Sequence, residues 1–265
     1  MPENQILYRT DGPVAVITLN RPEAANAQSF SFLDELDAAW TEADRDSGIR
    51  VILVNANGKH FSAGHDLRGE DPVAKDLAEM YANEAERYIG YSLKWRNSPK
   101  PSIAAVQGAC IAAGLMVCWP CDIIIAADNA YFSDPVVNMG IGGVEYHGHT
   151  WELGARKAKE LLFTGDRISA ETAERLGMVN RVVPLDALVD ESLALAHRIA
   201  QKHPWALRQA KRAVNQTLDV QGFQTALQSV FDIHATGHGH WFSAVQYPAM
   251  VGLEEMKAAQ GKEMS

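Results

Sequence analysis

Two short stretches of small residues carry the first chemical signal in this chain. In Ser62-Ala63-Gly64-His65 and in Ala112-Ala113-Gly114 the side chains leave the backbone open to close approach. Each stretch follows an apolar run, Val51 to Val54 and Ile103 to Val106, and so reads as a turn at the end of a strand. A turn that opens a helix leaves its first N–H groups without acceptors, and such groups attract negative charge. Two turns of this kind, facing one another, make an oxyanion hole. Close packing of a helix on a sheet uses the same small residues, and taken alone the second turn fits that alternative nearly as well.

Acid–base chemistry beside such a hole needs titratable groups. The segment from Asp134 to Leu153, DPVVNMGIGGVEYHGHTWEL, offers Asp134, Glu145, Tyr146, His147 and His149. Its glycines either let it line a site or serve turn geometry alone, and it lacks the Lys-Ser/Thr of a phosphate-binding loop. Cys118 and Cys121 have the spacing of a redox pair or half a zinc site. No second such pair exists in the chain, so packing is the expected use. His234, His238 and His240, with His147 and His149 upstream, raise a metal alternative. Without a nearby acidic or cysteine partner that spacing reads as incidental, and no metal site is expected.

The elements that position these groups follow from composition and pattern. A chain of 265 residues, 47% hydrophobic and 22% charged, suits a soluble globule of one large domain or one domain with a helical appendage. A net charge of −9 with no Lys/Arg stripe argues against nucleic acid as partner. No apolar run approaches the ~20 residues that span a bilayer. MPENQ lacks the regions of a signal peptide, and three clustered cysteines do not build a disulfide framework, so a cytoplasmic location is expected. Val14 to Leu19 and Asp122 to Ala127 read as strands. Ser31 to Ala43 reads as an amphipathic helix whose Leu33, Leu36 and Trp40 face a core. Ser169 is a helix N-cap, Gly177 a helix end before a strand from Val179 to Val183, and Asp186 a further helix start. Pro204 opens the next helix, and the apolar faces from there on exceed what one core needs, which predicts contact between subunits.

Five blocks now occur in order: ITLNRPEAANA, GKHFSAGHDL, SIAAVQGACIAAG, CDIIIAADNAYFSDP and TGDRISAETAERLGMVNRVVP. Together they make the chain resemble the enoyl-CoA hydratase/isomerase, or crotonase, superfamily. The resemblance implies an α/β fold, a spiral of ββα units over residues 1–200, with a helical oligomerisation segment over 201–265 and a homotrimer or dimer of trimers. It implies an acyl-CoA thioester as partner, with coenzyme A entering as part of the substrate and no permanently bound cofactor. It implies that the oxyanion donors are the N–H groups of His65 and Ala113. Carried over position by position, Glu23, Ala25, Ala63, His65, Asp66, Leu67, Ala113, Met116, Pro135 and Val136 line the site. The region from Gly69 to Arg96 is expected to close over the acyl group, and Lys211 or Lys257, from this chain or a neighbour, to meet the CoA phosphates.

One departure bears directly on the reaction. Where the family's hydratases carry two glutamates, this chain has Met116 and Val136, and neither can move a proton. Glu145 is the first candidate for a replacement and Asp134 the second. A lyase of the hydratase type, a decarboxylase, an isomerase, a thioester hydrolase and a non-catalytic acyl-CoA binder all stay open. SAGHDL and VNMG resemble the methylmalonyl-CoA decarboxylase branch, whose chemistry needs no strong base because loss of CO₂ itself leaves the enolate. The tail FDIHATGHGHWFSAVQYPAM departs most from the family.

Overall fold

Neighbouring residues of a strand point to opposite faces, so a run that is apolar at every position must be covered on both sides. Val14–Leu19 is such a run at every position but Thr18. In the computed structural model, which describes residues 4–68 and 71–250, it lies inside a sheet clothed on both faces. Ile6–Asp11 (β1) pairs antiparallel with Val14–Leu19 (β2), and helix Phe30–Arg45 (α1) then returns the chain to Val51–Ala56 (β3). Leu77–Glu84 (α2) and Tyr91–Arg96 (α3) precede Ser102–Val106 (β4), Ala109–Ile111 (β5) and the short helix Leu115–Cys118 (α4). Ile123–Ala127 (β6), Tyr131–Ser133 (β7), His149–Thr164 (α5), Ile168–Ser169 (β8), Ala170–Leu176 (α6) and Arg181–Val183 (β9) follow. Leu188–Ala200 (α7), Pro204–Val220 (α8) and Phe223–Val245 (α9) end the described chain.

The large sheet has the order β1-β2-β3-β4-β6-β9, parallel except at β1. A smaller sheet, β5-β7-β8, lies beside it. The chain passes from the large sheet to the small one twice, from β4 to β5 and from β6 to β7, which is the repeat expected of the spiral. On one face Val14, Val51, Leu53 and Ile103 pack with Leu188 and Ala196 of α7. Ile17, Ile52 and Val54 face the other way, into the main core with Phe32, Leu36 and Trp40 of α1. Trp40 stacks on Trp95 with ring centroids 5.8 Å apart, as a core residue. Each such fully buried large side chain contributes roughly 1.5–3 kcal/mol.

Most helix signals act where the sequence puts them. Ser169 Oγ accepts the N–H of Thr172, and Gly177 closes α6 at φ +87°. Pro204 takes the first turn of α8. Asp186 falls in a 3₁₀ turn, Leu185–Ala187, and α7 begins after it. The region read as least regular is instead largely helical: α2 and α3 are joined by the π-helical turn Ala85–Gly90, a wide turn often found at functional sites. Among the described residues no helix is long and apolar enough to cross a membrane.

Candidate active site

β3 and β4 are parallel neighbours, so the loops leaving their carboxyl ends emerge side by side. Backbone bonds knit them. Phe61 donates to Gln107 (2.8 Å), Ser62 to Ala109 (3.0 Å) and Ile111 to Ser62 (3.0 Å). Buried Gln28 clips the two turns together, its amide donating to Ser62 Oγ and to the Ala113 carbonyl, both at 3.0 Å. Gly64, at φ +91°, sits where an added Cβ would lie 2.8 Å from the Ile111 carbonyl oxygen and 3.2 Å from Ala113 N. The two small-residue turns therefore face and touch, as the oxyanion reading requires.

Among the described residues, the N–H groups of His65 and Ala113 have no acceptor outside their own turns. His65 pairs with Gln28 in a parallel bridge that uses the Gly64 carbonyl and the Asp66 N–H, so the His65 N–H points away from it. Ala113 is the second residue of the 3₁₀ turn Ala112–Gly114, where an N–H has no acceptor within the turn. Ala112 before it holds φ +49°, a left-handed strain of about 1–2 kcal/mol stored at this turn.

Beside the turns opens a cavity of about 590 Å³. Every position expected to line it does so except Ala113 and Met116. Ala113 is fully buried behind Ala112, and Met116 lies in the core with its sulfur accepting the Tyr146 N–H at 3.4 Å. Val136 reaches the wall as an apolar group. Asp134 corrects an expectation: it is fully buried and off the wall, accepting the Val144 N–H and pairing with His149 Nε2, both at 2.9 Å. Its bonds tie it to the loop that carries Glu145, away from the place where a second proton carrier would meet the ligand. Lys211 is likewise away from this cavity, bound to Asp122 at 2.9 Å and to the Lys100 carbonyl, while Lys257 lies outside the described residues.

Glu145 is on the wall, 1% exposed. Its Oε1 is 3.3 Å from His65 Nε2, and neither carboxylate oxygen receives a hydrogen bond among the described residues. The His65 ring lies flat on Tyr88, centroids 4.2 Å apart. Burial pushes the Glu145 carboxyl up, but the His65 imidazole foremost, then His234, outweigh it and hold the group below the usual carboxylate range. Burial opposes the His65 charge, and Glu145 more than restores it, which holds the His65 imidazole above its usual range.

These observations meet an independent one. Residues 9–246 match the family model described as Enoyl-CoA hydratase/isomerase. The chain belongs to the enoyl-CoA hydratase/isomerase family. Among solved structures it is similar to a probable enoyl-CoA hydratase from Mycobacterium thermoresistibile, with 65% identity, TM-score 0.90, 93% of this chain and 100% of that one covered. The probable enoyl-CoA hydratase of Mycobacterium smegmatis gives 63% identity and TM-score 0.91 over 94% and 100%. The short-chain-enoyl-CoA hydratase of Clostridium acetobutylicum is 32% identical over 97% of both chains. The fold is thus the crotonase fold.

This family member has site groups that its sequence did not disclose. Glu84, the last residue of α2, meets His234 and His238, one turn apart on α9, at the cavity wall. Glu84 Oε2 is 3.6 Å from His234 Nε2, Oε1 is 3.3 Å from His238 Nε2, and the two Nε2 atoms are 2.9 Å apart. The premise that these histidines lack an acidic partner therefore fails. Their i, i+4 spacing was the available signal; the partner lies 150 residues away. The other histidines stay apart from them: His147 bonds Thr150, His149 bonds Asp134, and His240 packs edge-on against Trp241. The segment expected to serve oligomerisation thus also builds the cavity. The glycine-rich loop does both things the sequence left open, since Ile141, Val144 and Glu145 line the wall while Gly140 lets the Trp241 indole close on the backbone. Cys118 and Cys121 do not pair: Cys118 Sγ is 3.6 Å from Cys110 Sγ, Cys121 Sγ meets the Val117 carbonyl, and burial pushes both thiols up.

Proposed function

We propose that the protein binds an acyl-CoA thioester and moves a proton on its acyl chain through an enolate. The thioester oxygen meets the N–H groups of His65 and Ala113, and Glu145 is the proton carrier. The single observation behind this is Glu145: a buried carboxylate on the cavity wall with one oxygen 3.3 Å from His65 Nε2 and, among the described residues, no donor bonded to the other. As a carboxylate on the cavity wall it can take a proton from a carbon next to the thioester carbonyl. The charge passes to the carbonyl oxygen, where preorganised N–H groups stabilise it. Return of the proton elsewhere on the chain shifts a double bond, the simplest reaction for one carboxylate. Relatives named as hydratases support the substrate class, while Met116 and Val136 remove the two glutamates on which the usual hydration rests.

The test is a panel of 3-enoyl, crotonoyl, β-hydroxy and malonyl-type CoA thioesters, with products followed by mass spectrometry in H₂O and D₂O. Double-bond migration with solvent deuterium entering the chain is expected, and Glu145→Gln should lower its rate about 10²- to 10⁴-fold. Decarboxylation unaffected by Glu145→Gln would show that the cradle acts alone. Binding without turnover of any thioester would identify a non-catalytic binder.

A further inference from the structure

We infer that Glu84, His234 and His238 form a binding site for a divalent transition-metal ion, opening on the acyl cavity. None of the three groups takes or gives the proton in the proposed transfer, although His234 lies close enough to Glu145 to favour its charge.

The argument starts from where the imidazole protons must be. His234 Nδ1 lies 2.7 Å from the Gly143 carbonyl oxygen and His238 Nδ1 lies 2.5 Å from that of Pro248. A carbonyl only accepts, so each Nδ1 carries a proton and Nε2 is the ring atom left to bind a metal ion. The two Nε2 atoms face one another across 2.9 Å, so either a proton or a metal ion lies between them. The third member is acidic. Glu84 is 2% exposed, its two oxygens receive no hydrogen bond among the described residues, and it faces the same point. Its side chain does not cap the π-helical turn that follows it either. Three candidate ligand groups thus converge on one buried point.

A metal ion fits between these groups at the spacing observed. The ligand atoms lie within 4.8 Å of one another. Bonds of ~2.0–2.2 Å to imidazole nitrogen and carboxylate oxygen put neighbouring ligands roughly 2.8–3.6 Å apart, from octahedral to tetrahedral geometry. The separations here run from 2.9 to 3.6 Å. The carbonyls on both Nδ1 atoms are the outer contacts that fix a metal-binding histidine's tautomer and aim its other nitrogen. Two nitrogens and one carboxylate suit zinc and its first-row neighbours. Three protein ligands also leave the ion a coordination position, and all three residues line the cavity. The ion would stand in the same cavity as Glu145.

The full-length protein is stripped with a chelator, reloaded with Zn²⁺ or Co²⁺, desalted and measured by elemental mass spectrometry. One ion per chain is expected, with a Co²⁺ visible spectrum of low-coordinate N/O type. Saturating Zn²⁺, at about a hundred times its dissociation constant, should raise Tm by roughly 5–10 °C. His238→Ala and the near-isosteric Glu84→Gln should each weaken binding by about 100-fold or more, circular dichroism confirming that they fold. Less than a tenth of an ion per chain in the wild type, or equal retention by wild type and a folded Glu84→Gln, overturns the assignment. In that case a shared proton joins the two Nε2 atoms.

Discussion

Gly64→Ala tests the oxyanion cradle with a single methyl group. The added Cβ would stand 2.8 Å from the Ile111 carbonyl oxygen, 3.1 Å from Ala112 Cβ and 3.2 Å from Ala113 N, where ordinary contact begins near 3.4 Å. All three atoms belong to the facing turn, so relief requires that turn to retreat by roughly 0.6 Å. Alanine must also hold φ +91°, a left-handed value that costs an L-residue about 1–2 kcal/mol. With the close contacts the penalty is about 2 kcal/mol, a Tm loss of roughly 5 °C for a chain of this size. Catalysis should suffer more than stability. A donor misplaced by this much costs about 10²-fold, and the loss should fall on kcat, because the N–H groups bind charge that develops in the transition state. Gly142→Ala is the control, since an added Cβ there meets nothing within 4 Å. The assay is turnover of the thioester that the wild-type protein processes, with folding checked by circular dichroism. A folded Gly64→Ala protein with wild-type kcat would refute the assignment of these turns as the oxyanion hole.

His65→Ala keeps the backbone N–H but removes the imidazole facing Glu145, leaving His234 as the remaining positive neighbour and Glu84 as the nearby negative group. Burial then wins and the Glu145 carboxyl rises, so the acid limb of the pH–rate profile should move to higher pH; an unmoved limb would sink the pairing. None of the residues of α8 is buried in the single chain, and Trp205, Val214 and Val220 stand exposed. Sedimentation should give three or six chains, reduced by Val214→Asp, and a wild-type monomer at all concentrations would exclude the expected trimer.

Much of the fold was legible in the sequence because its signals are local. A run apolar at nearly every position demands a doubly covered strand, and β2, β3, β4 and β6 carry such runs. Ser169, Gly177 and Pro204 act through backbone groups within a few residues of themselves, so their roles follow from position. The cradle was legible for a related reason: it consists of backbone, and small residues at strand ends are all that it needs.

Which side chains reach the cavity was a different question. Asp134 and Glu145 lie on one loop and looked interchangeable, yet one is locked onto Val144 and His149 while the other faces the cavity. Glu84 and His234 are 150 residues apart and met because α9 packs against α2. The sequence by itself determined the strands, the caps and the two turns. Only the tertiary structure decided how the buried charges pair, because that pairing depends on nonlocal packing: burial makes every unanswered acceptor costly, and the partners that answer it come from distant elements.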